Sequence, residues 1–147
     1  MAHEHIAKAK KEAERPTIVI DVSGAILGRV CSFIAKQAML GKKVVVVNCD
    51  NALVSGQRRM IINEYHIARV RGGTSLNGPH FPKHSERLVK RTVRGMLSYT
   101  QQRGLDALKR VICYTNTPAE YVESKKITMK TNTKSKTMAL KDLAGEI

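Results

Sequence analysis

Arg87, Lys90, Arg91 and Arg94 are four cations spaced at i, i+3, i+4 and i+7. Wound as a helix at 100° per residue, they share one face, and Val89, Val93, Met96 and Leu97 share the opposite one. One side of such a helix docks on a core while the other holds its cations toward something negative. Glu86 is the only acidic residue in 83–104. The i,i+4 acid–base ladder of a merely solvated helix is therefore missing. The chemistry implied is polyanion binding, and the planar fork of arginine suits phosphate.

The stripe lies in the most basic part of the chain. Residues 58–110 hold twelve Lys and Arg against three acids, whereas 1–15 hold four against three and 16–57 four against two. Arg58, Arg59, Arg69, Arg71 and Lys83 extend the basic surface, and Arg103 follows the stripe. The stretch 70–85 contains Gly72-Gly73 and Gly78-Pro79 and reads as a long basic loop with Arg71, His80, Lys83 and His84, the kind that is usually functional or disordered when free. A net charge of +14 and a pI near 10.1 direct the chain to nucleic acid or an anionic membrane. No apolar run approaches the ~20 residues needed to span a bilayer. The apolar side of the basic helix lacks the Trp or Phe anchors of a membrane-surface helix, and no secretory signal is expected at the start. Aromatics make up 4% and Trp is absent, whereas a module that reads single-stranded bases by stacking usually needs more aromatic platforms.

Other chemistry is weakly represented. Ser23-Gly-Ala-Ile-Leu-Gly28-Arg29 follows a strand and opens a helix, where α/β proteins hold phosphates. It lacks both glycine-rich nucleotide fingerprints and reads as a tight turn. Asp21 and Asp50 end apolar strands without a sequence-evident catalytic partner. His66 reads as an ordinary helical histidine, and Ser98 and Cys113 sit in no nucleophile motif. His3 and His5 offer too few ligands for a metal. Cys31, Cys49 and Cys113 form no C-x-x-C pair and read as small buried residues. No enzyme activity, cofactor, metal or small-molecule substrate is expected.

The elements that must position the cations follow from periodicity. Stretches 17–22 and 43–48 are continuous β-branched runs, as in strands buried on both faces of a parallel sheet. Between them Ile26, Leu27, Val30, Phe33, Ile34 and Ala38 make one helical stripe, ended by Gly41. Strand, helix and strand form a βαβ unit. Residues 52–54 add a short extended piece, Ser55-Gly56 reads as the cap of a helix over 57–69, and Ser85 reads as the cap of the basic helix. A helical piece over 105–109 and a strand over 110–115 follow. The chain divides into a polar arm (1–15), an α/β core domain (16–121) that carries the basic surface, and a basic extension (122–147) with a short helix near 140–143.

The string Lys90-Arg-Thr-Val-Arg-Gly-Met-Leu97, with Gln102-Arg-Gly104 beyond it, resembles the signature of the universal large-subunit ribosomal protein thirteen family. Asp21 with Ala25-Ile-Leu-Gly-Arg29, Val45-Val-Val-Asn48 with Ser55-Gly56, and the stretch 110–118 match the family in the same order. Ser98 stands where the family usually has Pro, which bears on how the helix ends, and Ser55 where Thr is common. The length and the segment 82–97 resemble archaeal members. The resemblance implies a three-layer α/β/α domain on a mainly parallel four-stranded sheet, with an extended basic loop and tails. It implies a cytoplasmic structural constituent of the large ribosomal subunit that binds and stabilises large-subunit ribosomal RNA during assembly and translation, beside neighbouring ribosomal proteins. Arg29, Arg91, Arg94, Gly95, Met96, Arg103 and Gly104 carry over from its motifs. Gly95 reads either as a site of close backbone approach or as a plain helical glycine. A nucleotide-binding α/β enzyme and a free RNA-binding regulator are the alternatives to be tested.

Overall fold

The computed structural model describes residues 15–71, 80–129 and 135–147. The expected arm, apart from Arg15, with its His3 and His5, and the glycine-rich middle of the basic loop lie outside these residues.

Strand β1 (Thr17–Asp21) pairs in parallel with β2 (Lys43–Val47), with Val19 opposite Val45 and Ile20 opposite Val46. Val44, Val45, Val46 and Val47 are all fully buried, which is why β2 is apolar without alternation. Helix α1 (Leu27–Met39) makes the crossover, burying Leu27, Val30, Cys31, Ile34, Ala35 and Ala38 at helical spacing. Gly41 follows its end at φ +89°, a conformation that glycine adopts without steric cost. Strand β3 (Leu53–Ser55) leads to α2 (Arg58–Val70); α3 (Ser85–Gly95) and α4 (Gln102–Lys109) follow, then β4 (Val111–Cys113), which extends the sheet beside β2.

Two strands were not expected. β5 (Lys126–Thr128) pairs in parallel with β1, completing a four-stranded sheet of order β4-β2-β1-β5. β6 (Thr137–Ala139) pairs antiparallel with β3 and runs into α5 (Leu140–Glu146). Leu140, Leu143 and Ile147 join the same core as α1 and α3. The segment after 121 therefore supplies both sheet and core.

Among the described residues the four-stranded sheet is parallel and flanked by five helices, the expected three-layer α/β class. Ile20, Val44, Val46 and Val111 belong to the larger core with the helices, while Val19, Val45 and Val47 form a smaller cluster against Tyr114 and Tyr121. Register explains the division, because alternate residues of one strand point to opposite faces.

Two expected caps are not made. α2 starts after Gln57, Ser55 lies in β3, and Gly56 takes the turn at φ +142°. α3 is preceded by His84 in extended conformation, so Ser85 is already helical and is buried against the core.

Candidate nucleic-acid interface

The buried face of α3 fixes where its cations stand. Leu88, Val89 and Val93 are buried, and the Cys31 thiol of α1 donates to the Val89 carbonyl at 3.9 Å. Arg87, Lys90 and Arg94 project from the other side and are exposed. No ion pair joins Glu86 to Lys90 despite their i,i+4 spacing; the ion pairs among the described residues are Arg58–Glu146 and Lys109–Asp106. Met96 was expected on the core face and is instead 45% exposed. The helix stops at Gly95, which turns Met96 outward, and Leu88, outside the expected apolar stripe, takes a core position.

Arg91 differs from its neighbours. It is half-buried, and its guanidinium lies 4.4 Å from the centroid of Phe81. Phe81 meets Tyr65 edge-on, at 5.6 Å and 87°. The stack ties α2, the end of the basic loop and α3 together, so Arg91 holds the scaffold as well as charge. Arg94 lies 5.2 Å from the ring centroid of Tyr99, just past the helix. Arg103 is exposed in the first turn of α4, which has no acidic residue. A cation there opposes the helix dipole, so its charge is not explained by folding.

The remaining expected cations fall in several settings. Arg29 is exposed on α1, Lys83 precedes α3, and Arg71 lies just beyond α2, also exposed, while Arg69 is half-buried. Arg58 and Arg59 line an open groove of about 720 Å³ with Met60, Ile62, Asn63 and His66. Arg58 is engaged by Glu146 of α5, a partner 88 residues away that sequence reading could not supply. Arg87 and Lys90 border a smaller cavity of about 230 Å³ beside β4.

A further basic cavity, of about 310 Å³, is lined by Arg15, Lys43, Lys109, Arg110 and Ile112. Nothing local in sequence marks Lys43 and Lys109 as neighbours, because only the sheet brings the start of β2 next to the end of α4. Arg110 serves the fold. Its Nε and Nη2 donate to the Ala38 carbonyl at 3.3 and 2.9 Å, beside the Gly41 amide that donates to the same oxygen at 3.1 Å, and so tie the end of α1 to β4.

The strand-to-helix turn after β1 is internally bonded. The Ser23 amide donates to Asp21 Oδ1 at 3.0 Å, Gly24 to the Asn51 carbonyl at 3.0 Å, and Ala25 to the Val22 carbonyl at 3.1 Å. A phosphate would find these amides occupied and the Asp21 carboxylate beside them. Burial alone would raise the Asp21 carboxyl; the Ser23 and Asn48 hydrogen bonds and the nearby Lys126 ammonium outweigh it and hold the group below its usual range. Asn48, at φ +61°, donates to the same Oδ1 at 3.0 Å and accepts from Thr117 Oγ1 at 3.0 Å. Asp21 thus knots together the ends of β1, β2 and the segment after β4.

The three cysteines are free, with Cys31 and Cys49 buried and Cys113 half-buried. Burial, followed by the proximity of Cys113, pushes the Cys31 thiol up to about 12. The Cys113 hydrogen bond and then burial push Cys49 up as well. Both stay protonated and unreactive. His66 is exposed on the groove wall.

The sequence model of the family described as Ribosomal protein L13 matches residues 15–120. The "Large ribosomal subunit protein uL13" of Methanosarcina barkeri is 44% identical over 112 residues, covering 76% of this chain and 79% of that protein. The protein of the same name from Archaeoglobus fulgidus is 45% identical over 102 residues, 69% of this chain and 65% of its own length. That from Methanocaldococcus jannaschii is 36% identical over 132 residues, 88% of this chain and 96% of its own. The match takes in the βαβ unit, α2, the basic helix and β4, and the relatives are archaeal. By family match and by relatives alike, this chain belongs to the Ribosomal protein L13 family.

Proposed function

We propose that the chain is a structural, non-enzymatic constituent of the large ribosomal subunit whose α3 face binds large-subunit ribosomal RNA. The observation that carries this reading is the split character of α3. Leu88, Val89 and Val93 are buried while Arg87, Lys90 and Arg94 stand exposed without acidic partners among the described residues. Cations held on a rigid helix and left unneutralised are suited to a phosphate backbone. Arg29, Arg59, Arg71, Lys83 and Arg103 add contacts around it. Arg58, Arg69 and Arg91 contribute charge while also packing or pairing within the chain. Neighbouring ribosomal proteins complete the surroundings in the cytoplasmic ribosome.

Affinity then comes from counterion release and falls steeply with salt. The decisive experiment is sedimentation of a cell lysate through a density gradient. The chain is expected with large subunits and with large-subunit precursors. Its absence from both, with the protein at the top of the gradient, would overturn the reading in favour of a free regulator. Titration of the purified chain with nucleotides is expected to show no saturable micromolar binding, since the amides of the 23–25 turn are already bonded.

A further inference from the structure

The chain has six aromatic rings: Phe33, Tyr65, Phe81, Tyr99, Tyr114 and Tyr121. Phe33, Tyr65 and Phe81 pack against the main core, and Tyr114 and Tyr121 against the smaller cluster. Tyr99 alone is exposed, at 46%. One side of its ring is taken by the Arg94 guanidinium at 5.2 Å.

The ring stands on a rigid support. Leu97 anchors the turn in the core. The Tyr99 amide donates to the Leu97 carbonyl at 2.8 Å and the Gln101 amide to the Ser98 carbonyl at 3.0 Å. Gly104 of α4 is buried against the same turn, so closely that a Cβ there would stand 2.1 Å from the Ser98 carbonyl oxygen. Only glycine permits that approach. The surroundings are cationic, with Arg94 before the turn and Arg103 after it, while the nearby Asp106 is engaged by Gln102 at 2.9 Å and by Lys109 at 3.9 Å.

An exposed cation–π pair stabilises a fold only weakly. A fixed planar ring, backed by a guanidinium and surrounded by phosphate-binding charge, matches what single-stranded RNA bases stack on. We propose that Tyr99, backed by Arg94, is a stacking platform for one unpaired nucleobase of the large-subunit RNA. The inference rests on the RNA-binding reading above and refines it: α3 grips backbone, and the turn after it reads an extruded base. The turn bearing Tyr99 would then select a bulge or loop over continuous duplex, which a purely phosphate-binding helix cannot do.

The test uses the full chain and RNA extracted from large subunits, titrated over a range of salt concentrations. Tyr99→Ala is expected to bind roughly 5- to 150-fold more weakly with the salt slope unchanged, since stacking releases no counterion. Tyr99→Phe is expected to bind like the parent. Circular dichroism and thermal melts of both variants should match the parent, because the ring is exposed. If Tyr99→Ala binds like the parent while Arg87→Ala/Lys90→Ala flattens the slope, the platform is overturned and the phosphate reading stands. If Tyr99→Phe is as weak as Tyr99→Ala, the hydroxyl and not the ring makes the contact, and stacking is overturned. If Tyr99→Ala binds RNA normally but drops out of large subunits in cells, the ring docks a protein, and the platform is again overturned. If the parent itself shows no salt-dependent binding, the RNA-binding reading fails and the platform with it.

Discussion

Replacing Arg87 and Lys90 together with alanine isolates the electrostatic task of α3. Both side chains are exposed, and neither forms an ion pair or hydrogen bond with another described residue. Alanine has the highest helix propensity, and Arg87 lies in the first turn of α3, where a cation opposes the dipole. The double variant should therefore fold as well as the parent, within about 0.5 kcal/mol. Each phosphate neutralised contributes roughly 0.7 to 0.9 to the slope of log K against log salt, so losing two should reduce it by roughly 1.4 to 1.8. Between about 50 and 200 mM salt, a slope change of that size alters the affinity ratio of parent to variant about tenfold. The variant should be much weaker at low salt and should approach the parent at high salt. The assay is titration of extracted large-subunit RNA at several salt concentrations, with a thermal melt as the control for folding. A variant with the parent's slope would refute the reasoning, whatever its absolute affinity. Arg91→Ala is a poorer probe, because losing its contact with Phe81 disturbs the link to Tyr65 as well as the charge.

Gly104→Ala should destabilise the fold by roughly 1–3 kcal/mol or more through overpacking, because its Cβ meets backbone that cannot swing aside; a melting temperature equal to the parent's would contradict this. Asp21→Asn bears on acid stability. The native carboxyl is held below its ordinary 3.8, so its contribution is complete above that value and is lost as pH falls below it. Denaturant midpoints of the parent should drop below about pH 4, and those of the variant should drop less; parallel curves would remove Asp21 from the acid response. Cys31 and Cys49 should resist a thiol reagent at pH 8 until denaturant is added, because both thiols are buried and pushed up. Rapid modification of either in the native chain, read by peptide mass, would show that the core opens there.

How much of this was legible depends on how local the cause is. The βαβ unit was readable because β2 is apolar at consecutive positions and α1 at helical spacing, and each pattern is set by burial of its own segment. Helix α3 was readable for the same reason, but its end was not. Met96 continues the apolar stripe in sequence, and the turn beyond Gly95 depends on Gly104 packing against Ser98. Strands β5 and β6 have three residues each, too few to show a period. They exist because β1 and β3 offer unpaired edges. The C-terminal stripe of Leu140, Leu143 and Ile147 has helical spacing, so its burial could have been read from that pattern.

The cations show why charge alone does not define an interface. By type, Arg58, Arg91, Arg94 and Arg110 look equivalent in sequence. In the fold Arg58 meets Glu146, Arg91 lies on Phe81, and Arg110 closes the end of α1. Arg94 projects beside Tyr99, exposed, as do Arg87 and Lys90 along the same helix. An internal partner limits what a guanidinium can offer an RNA, since its donors or its face must first be released. On the proposed function, the phosphate-binding strength of this surface lies with the cations that no carboxylate or carbonyl among the described residues engages. Three of the exposed cations, Arg87, Lys90 and Arg94, stand on α3, the helix with Leu88, Val89 and Val93 buried beneath it, and Arg94 also lies against Tyr99. Rigidity matters because a cation already held in place loses less conformational freedom when it meets a phosphate. On that reading the packing of three apolar side chains and the affinity for RNA are one property of the helix, and a variant that loosens Val93 should bind RNA more weakly in the same salt titration without losing a charge.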